Sequence, residues 1–144
     1  MQFLDSKYKM VKRETVKQFL KFSLVGILNT LIDWSAFLIL TFIFPVISFE
    51  PYAKAISFSL GVLNSFLINS KWTFKKEYKK IEYGKKKIFL KFIAVNLIGL
   101  AINYAVFTLS RFSLNQNQIV SLLSATAISL LWNFSANKFW TYKK

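Results

Sequence analysis

Two stretches of this 144-residue chain end in nearly the same words. Asn69-Ser70-Lys71-Trp72-Thr73-Phe74 closes the first half, and Asn137-Lys138-Phe139-Trp140-Thr141-Tyr142 closes the second. The halves also open alike, with Phe19-Leu20-Lys21-Phe22 matching Phe89-Leu90-Lys91-Phe92. A repeat of about 70 residues in a chain of this length means two copies of one structural unit. A unit duplicated inside a membrane usually builds its site at the seam between the copies.

Four apolar runs set the class. They cover about Phe19 to Phe44, Tyr52 to Ile68, Ile88 to Leu109 and Ile119 to Phe139. Hydrophobic residues make up 54% of the chain and its mean hydropathy is +0.39, both high for a soluble domain. A spanning helix needs about 20 residues at a rise of about 1.5 Å each to cross a core of about 30 Å. All four runs qualify, although the second and fourth are the more polar. No period-2 alternation runs through them, which argues against barrel strands. The expected fold is therefore an all-α membrane protein with four transmembrane helices in two helical hairpins. Residues 1–18 read as a basic cytoplasmic N-terminus and 19–74 as the first hairpin. Residues 75–87 read as a basic cytoplasmic loop and 88–144 as the second hairpin. The N-terminus is polar and the first apolar run is too long for a signal peptide's core, so no cleavable signal is expected.

The connections differ in character. Pro45 and Pro51 bracket a short turn between the first two runs, and the link near Arg111 to Gln118 is also short. The middle link, Lys75 to Lys87, is dense in lysine and reads as solvated loop. Its Ile81, Tyr83 and Ile88 also suit an anionic membrane surface. Of the 20 basic residues, all except Lys54 and Arg111 fall before or at the start of the first run, around the middle link or at the C-terminal end. The positive-inside rule then places both termini and the middle loop in the cytoplasm. Each copy starts and ends on the same side, so the two are parallel repeats about an axis along the membrane normal.

The same clustering explains the net charge of +14 without nucleic acid. The chain has no Cys and no His, which removes disulfides, thiolate metal sites and the commonest general base. There is no Gly-rich phosphate loop, no paired-carboxylate site and no extramembrane stretch long enough for a catalytic domain. The chain is not expected to be an enzyme by itself, and no cofactor or metal is implied.

Polar side chains interrupt the runs. Asp33 is the only acid inside a span, about 21 Å beyond Phe19 along a helix. An unpaired carboxylate at that depth costs at least a few kcal/mol, so it must face protein, pair with a cation or carry a proton. Gly26, Asn29, Thr30 and Asp33 share one helical face. Asn103 is the repeat equivalent of Asp33, with Asn96 seven residues before it. These groups suit either interhelical hydrogen bonding or a polar path through the bundle. At the cytoplasmic ends lie Asn64, Asn69, Lys71 and Trp72 in one copy, and Asn133, Asn137, Lys138 and Trp140 in the other. A lone Trp and Lys at a helix end is normally an interfacial anchor. Their duplication together with amides suggests more: amides and indoles suit sugar hydroxyls, and ammonium groups suit a phosphate. Arg111, alone near the outer surface, reads as an anchor.

These residues resemble a family. Phe22-x-x-Val25-Gly26 with Asn29 and Asp33 looks like the opening of GtrA-like membrane proteins. The endings Asn64-Ser65-Phe66-x-x-Asn69-x-x-Trp72-Thr73-Phe74 and Asn133-Phe134-x-x-Asn137-x-x-Trp140-Thr141-Tyr142 are similar to the repeated ending of that family. The resemblance covers nearly all of residues 19–142. Ser70 departs from it where the second copy has the basic Lys138, and the adjacent Lys71 is the charge available there. The resemblance implies a four-helix bacterial inner-membrane protein that flips a polyprenyl-phosphate-linked sugar outward for glycosylation of surface polysaccharide or teichoic acid.

The functional expectation combines the two readings. A prenyl tail, as in undecaprenyl phosphate, stays in lipid while the phosphosugar passes a polar groove. Asn29, Asp33, Asn64, Asn69, Asn103, Asn133 and Asn137 replace water around the sugar. Lys71 and Lys138, with Trp72 and Trp140, gather the phosphate at a cytoplasmic entrance. Movement is downhill or coupled to protons through Asp33. Two rivals are a small proton-coupled exporter, disfavoured by the charge bias, and a scaffold that recruits a membrane glycosyltransferase through the basic loop. Four helices enclose little volume, which leaves room for a homodimer.

Overall fold

The computed structural model describes residues 2–46, 49–81 and 84–143, with the side chains of all but residues 2–9, 50, 51 and 54 among them. Tyr83 and Lys144 lie outside the described residues, and so do the side chains of Lys7, Lys9 and Lys54. Helices account for nearly all that is described: α1 (Gln2–Ile43), α2 (Glu50–Ile68), α3 (Lys75–Lys80), α4 (Lys85–Thr108) and α5 (Gln118–Ala136). Short π-helical segments follow three of them, at Asn69–Thr73, Leu109–Ser113 and Asn137–Thr141. There is no strand among the described residues.

Helix α1 begins far upstream of the expected Phe19. No Gly or Pro interrupts residues 2–19, and Lys, Gln, Glu, Leu and Met are good helix formers, so the backbone carries on through the charged segment. Charge marks where a membrane begins, not where a helix does. The 42 residues of α1 make about 63 Å of helix, about twice the hydrocarbon thickness. The helix stops before Pro45, which lacks a backbone donor and disfavours helical geometry in the residue before it. Pro51 then occupies the first turn of α2, where its missing N–H is harmless. Hydroxyls along α1 are satisfied within it: Ser23 donates to the Phe19 carbonyl at 2.9 Å and Thr30 to the Gly26 carbonyl at 3.1 Å.

Part of the middle link is also helical. Helix α3 occupies its start, and α4 takes up its last lysines after Gly84. Ile88, expected on a membrane surface, is instead 2% exposed in the core that α4 forms. Between α4 and α5 the turn is held by specific bonds. The Arg111 guanidinium donates to the Gln116 carbonyl at 2.9 Å, and the Asn117 side chain caps α5 by accepting from the Val120 N–H at 2.9 Å. Asn115 takes φ 51°, a left-handed geometry that Asn tolerates better than most residues.

The chain forms two compact units, Met1–Lys75 and Lys76–Lys144. In the first, α1 packs on α2 around Phe22, Val25, Ala53 and Phe74. In the second, α4 packs on α5 around Ile88, Phe92, Val95, Ala125, Phe134 and Tyr142. These cores are small, and large apolar side chains such as Leu24, Leu31, Trp34, Leu97, Leu100 and Leu123 are exposed. Such continuous apolar exposure on long helices is the surface a bilayer covers. Three stretches, Met10–Ile43, Lys85–Ser113 and Gln118–Thr141, are long and apolar enough to cross a membrane. The described part of α2, with Ser57, Ser59, Asn64 and Ser65 along it, is not among them, so the structure supports three of the four expected spans.

Candidate functional site: duplicated π turns and the polar seam of each hairpin

The repeated endings share one backbone device. Each leaves its α-helix at an asparagine and widens into a five-residue π turn, Asn69–Thr73 or Asn137–Thr141. Each closes with a bond from an aromatic residue's N–H to that asparagine's carbonyl, Phe74 to Asn69 at 2.8 Å and Tyr142 to Asn137 at 2.9 Å. π segments are rare and gather at functional sites. The closing aromatics are anchors. Phe74 is fully buried with its ring 6.1 Å from that of Phe22, and Tyr142 is buried with its ring 6.4 Å from that of Tyr78.

Inside each turn the asparagine is buried, Asn69 at 1% and Asn137 at 0% exposure. The Asn69 amide donates to Ser65 Oγ at 3.2 Å, and the Asn137 amide to the Asn133 carbonyl at 2.8 Å. Both carboxamide oxygens are buried without a hydrogen-bond partner. Such an oxygen costs about 1–3 kcal/mol, yet both copies of the repeat carry one. The widened turn also sets Trp72 and Trp140 outward, 45% and 48% exposed.

A lysine from the opening of each copy meets that indole. The Lys21 ammonium lies 5.0 Å from the Trp72 ring centroid, and the Lys91 ammonium 5.2 Å from that of Trp140. Both distances are within cation–π range. Lys91 also donates to the Trp140 carbonyl at 3.2 Å. Lys71 is exposed, whereas the Lys138 ammonium sits 5.8 Å and 5.9 Å from the Phe134 and Phe139 rings of its own helix end.

Further along each hairpin runs a polar seam. In the first unit, the Asn64 amide donates to Asn29 Oδ1 at 2.9 Å, and Ser57 Oγ donates to Asp33 Oδ1 at 2.6 Å. Gly61 lies between these pairs, and a Cβ there would meet only the Asn29 carbonyl oxygen at 3.6 Å and Asp33 Cβ at 3.7 Å. In the second unit, the Asn103 amide donates to Ser129 Oγ at 3.1 Å. Asn133 packs against Gly99, where any added Cβ would collide with its carboxamide, and its buried Oδ1 has no hydrogen-bond partner. Asn96, expected to share the face of Asn103, turns back to donate to the Phe92 carbonyl of its own helix at 2.8 Å.

Of the residues singled out from sequence, the structure brings Asn29, Asp33 and Asn64 to one seam of the first hairpin. Asn103 and Asn133 lie in the seam of the second, half-buried like their counterparts. Asn69 and Asn137, expected at an open entrance, lie inside their own units, while Trp72 and Trp140 reach the surface. Sequence reasoning missed Ser57 and Ser129, short side chains with no pattern of their own, and Gly99. It also missed Lys21 and Lys91 as indole partners, although the repeated Phe-Leu-Lys-Phe carried that signal.

The model of the GtrA/DPMS transmembrane domain family matches residues 21–142, from the first of these lysines to the last anchoring aromatic. The chain belongs to the GtrA/DPMS family. It is 29% identical over 140 residues to the uncharacterized membrane protein YngA of Bacillus subtilis (strain 168), covering 97% of this chain and 88% of that protein. It is 28% identical over 128 residues to a bactoprenol-linked glucose translocase of Shigella phage SfV, and 30% over 128 residues to that of phage SfX. Each of these covers 89% of this chain and 97% of the phage protein. The family match and the apolar helices make it a multi-pass membrane protein.

Proposed function

We propose that this GtrA/DPMS-family protein translocates a polyprenyl-phosphate-linked monosaccharide across the bacterial cytoplasmic membrane, for glycosylation of surface polysaccharide or teichoic acid. The observation that carries the reading is the hydrogen-bonded polar seam inside each otherwise apolar hairpin. Relatives that match nearly end to end are named bactoprenol-linked glucose translocases, and bactoprenol is a polyprenyl carrier. Interhelical polar bonds in membranes average only about 0.6 kcal/mol each, so glue alone is a weak reason to place carboxyl and amide groups there.

In this reading α2 is a fourth span, both termini and the α3 region are cytoplasmic, and the hairpins are parallel repeats. The sugar exchanges water for Asn29, Asp33, Asn64, Asn103 and Asn133 as it passes, while the prenyl tail stays in lipid. Trp72 and Trp140 meet the sugar at the cytoplasmic end, and Lys71 and Lys138 add attraction for the phosphate. Asn69 and Asn137 act from within the π turns that aim those indoles. No step makes or breaks a covalent bond, so the chain is a translocase and not an enzyme. Movement is driven by consumption of the sugar outside or by protons through Asp33, and a homodimer would add enclosure. The basic extension of α1 beyond the membrane favours one second reading, a platform for a glycosyltransferase.

Two experiments test this. In a host lacking the gene, surface glycosylation should be lost and restored by the wild-type chain. Restoration by an Asn29→Ala, Asn64→Ala, Asn103→Ala variant that expresses normally would favour the platform. The chain has no native Cys, so a single Cys at position 80 reports topology cleanly. It should resist impermeant thiol reagents in intact cells, and labelling from outside would overturn the orientation.

A further inference from the structure

The lysine–tryptophan pairs have a property that generic anchoring does not explain: the same ammonium-over-indole contact recurs in both copies of the repeat, with Lys91 adding a bond to the Trp140 carbonyl. Lys21 and Lys91 occupy the same place in Phe-Leu-Lys-Phe, and Trp72 and Trp140 the same place in their π turns. The two ammonium-to-indole distances differ by only a few tenths of an ångström, at 5.0 and 5.2 Å. Each pair joins the two helices of its hairpin. By contrast, Lys71 and Lys138 are not equivalents. Lys138 aligns with Ser70, and its ammonium rests on rings of its own helix end.

We infer that Lys21 with Trp72, and Lys91 with Trp140, form two equivalent binding sites for a lipid phosphate, one per repeat. The chemistry fits in three ways. An ammonium is a compact, strongly hydrated charge that takes phosphate as a point cation. Each lysine is half-buried and held over an indole, so little side-chain freedom remains to lose when an anion arrives. Each indole is about half exposed at the polar end of an apolar hairpin, the depth at which lipid phosphates lie. Each indole lies within a π turn, three residues after a buried asparagine whose carboxamide oxygen lacks a hydrogen-bond partner. The inference rests on the translocase reading only for the prenyl tail, not for the phosphate.

The test is equilibrium binding to purified protein in phosphatidylcholine nanodiscs, with no transport step. The probes are undecaprenyl phosphate and undecaprenol, which lacks the phosphate. Wild type should prefer the phosphate at least about tenfold. Lys21→Gln and Lys91→Gln should each weaken one of the two sites roughly tenfold, the scale of a lost bond to a charged group, so that half of the high-affinity phosphate sites are lost while undecaprenol binding is unchanged. Lys21→Arg and Lys91→Arg keep a cation on the indole and should restore the preference. Lys12→Gln, an equal charge change on the exposed upstream part of α1, should bind like wild type. Phosphatidylglycerol added at equal mole fraction separates the two sources of phosphate. Full competition assigns the sites to bulk headgroups, and persistence of undecaprenyl phosphate binding assigns them to the carrier lipid. Equal affinity of wild type for the two probes, or wild-type binding by the Lys21→Gln, Lys91→Gln double variant, would overturn the inference. A wild type that binds selectively but does not flip would leave the sites standing and refute the translocase.

Discussion

The two hairpins agree at one end and disagree in the middle. At the polar end each has a π turn opened by a buried asparagine, closed by a buried aromatic and topped by a lysine on a tryptophan. At mid-depth the first hairpin pairs Asn29 with Asn64 and Asp33 with Ser57. The second pairs Asn103 with Ser129 and has a glycine, Gly99, where the first has Asn29, which lets Asn133 approach from the opposite helix. A duplicated unit that keeps one end and alters the other separates two tasks. On the proposed reading the shared end serves a feature common to every passage, the phosphate, while the divergent seams would present different groups to the sugar. Only one seam holds a carboxyl.

The shared end is the easier half to break. Asn69→Ala and Asn137→Ala each give up one amide bond and relieve one buried oxygen that lacks a partner. Thermal stability in detergent should therefore change by less than about 1 kcal/mol. Flipping should fall by roughly tenfold to a hundredfold, the scale of misplacing a positioning group by about 1 Å, because the turn no longer aims its indole. Unchanged flipping in both variants would reduce the π turns to architecture.

The glycines sharpen the contrast between the seams. A methyl group at Gly99 collides with the Asn133 carboxamide, so Gly99→Ala should destabilise by about 1–3 kcal/mol. Adding Asn133→Ala should restore most of that loss in a double-mutant cycle. Gly61→Ala meets neighbours only at ordinary contact distance and should be neutral or slightly stabilising, since Ala is the better helix former. Melting of the four variants by fluorescence-detected size exclusion checks this, and equal effects at the two glycines would contradict the described packing.

The smallest change makes the first seam chemically like the second. Asp33→Asn keeps an acceptor for the Ser57 hydroxyl and removes only the charge or the proton. Melting should hold, and flipping should fall by up to about tenfold if the carboxyl matters electrostatically. Identical flipping rates, with and without an imposed pH gradient, would show that an amide serves as well and that Asp33 carries no proton.

Much of this fold was legible in the sequence because its signals are periodic or repeated. Apolar runs of spanning length gave three of the helices their membrane character, and the near-identical endings announced two copies of one unit. What stayed hidden was local. No propensity rule marks where an α-helix widens into a π turn, since the same residues fit both. Asn69 and Asn137 looked like open ligands because amides at a helix end usually face water, and the anchoring of Phe74 and Tyr142 pulls them inward instead. In the sequence Lys21 and Lys91 are two charges among many, and their meaning depends on a tryptophan about 50 residues away across the hairpin. Helix α1 outran its apolar run because nothing in the charged segment breaks a helix.

Translocation itself is measured by reconstituting the purified chain in liposomes carrying an undecaprenyl-phosphate-linked glucose. The rate at which the sugar becomes accessible to an impermeant reagent in the opposite leaflet is then measured. Flipping should run well above that of protein-free vesicles and be lost when Asn29, Asn64, Asn103 and Asn133 are all changed to alanine in a chain that still folds. A folded wild-type protein that leaves the rate at the protein-free level would contradict it.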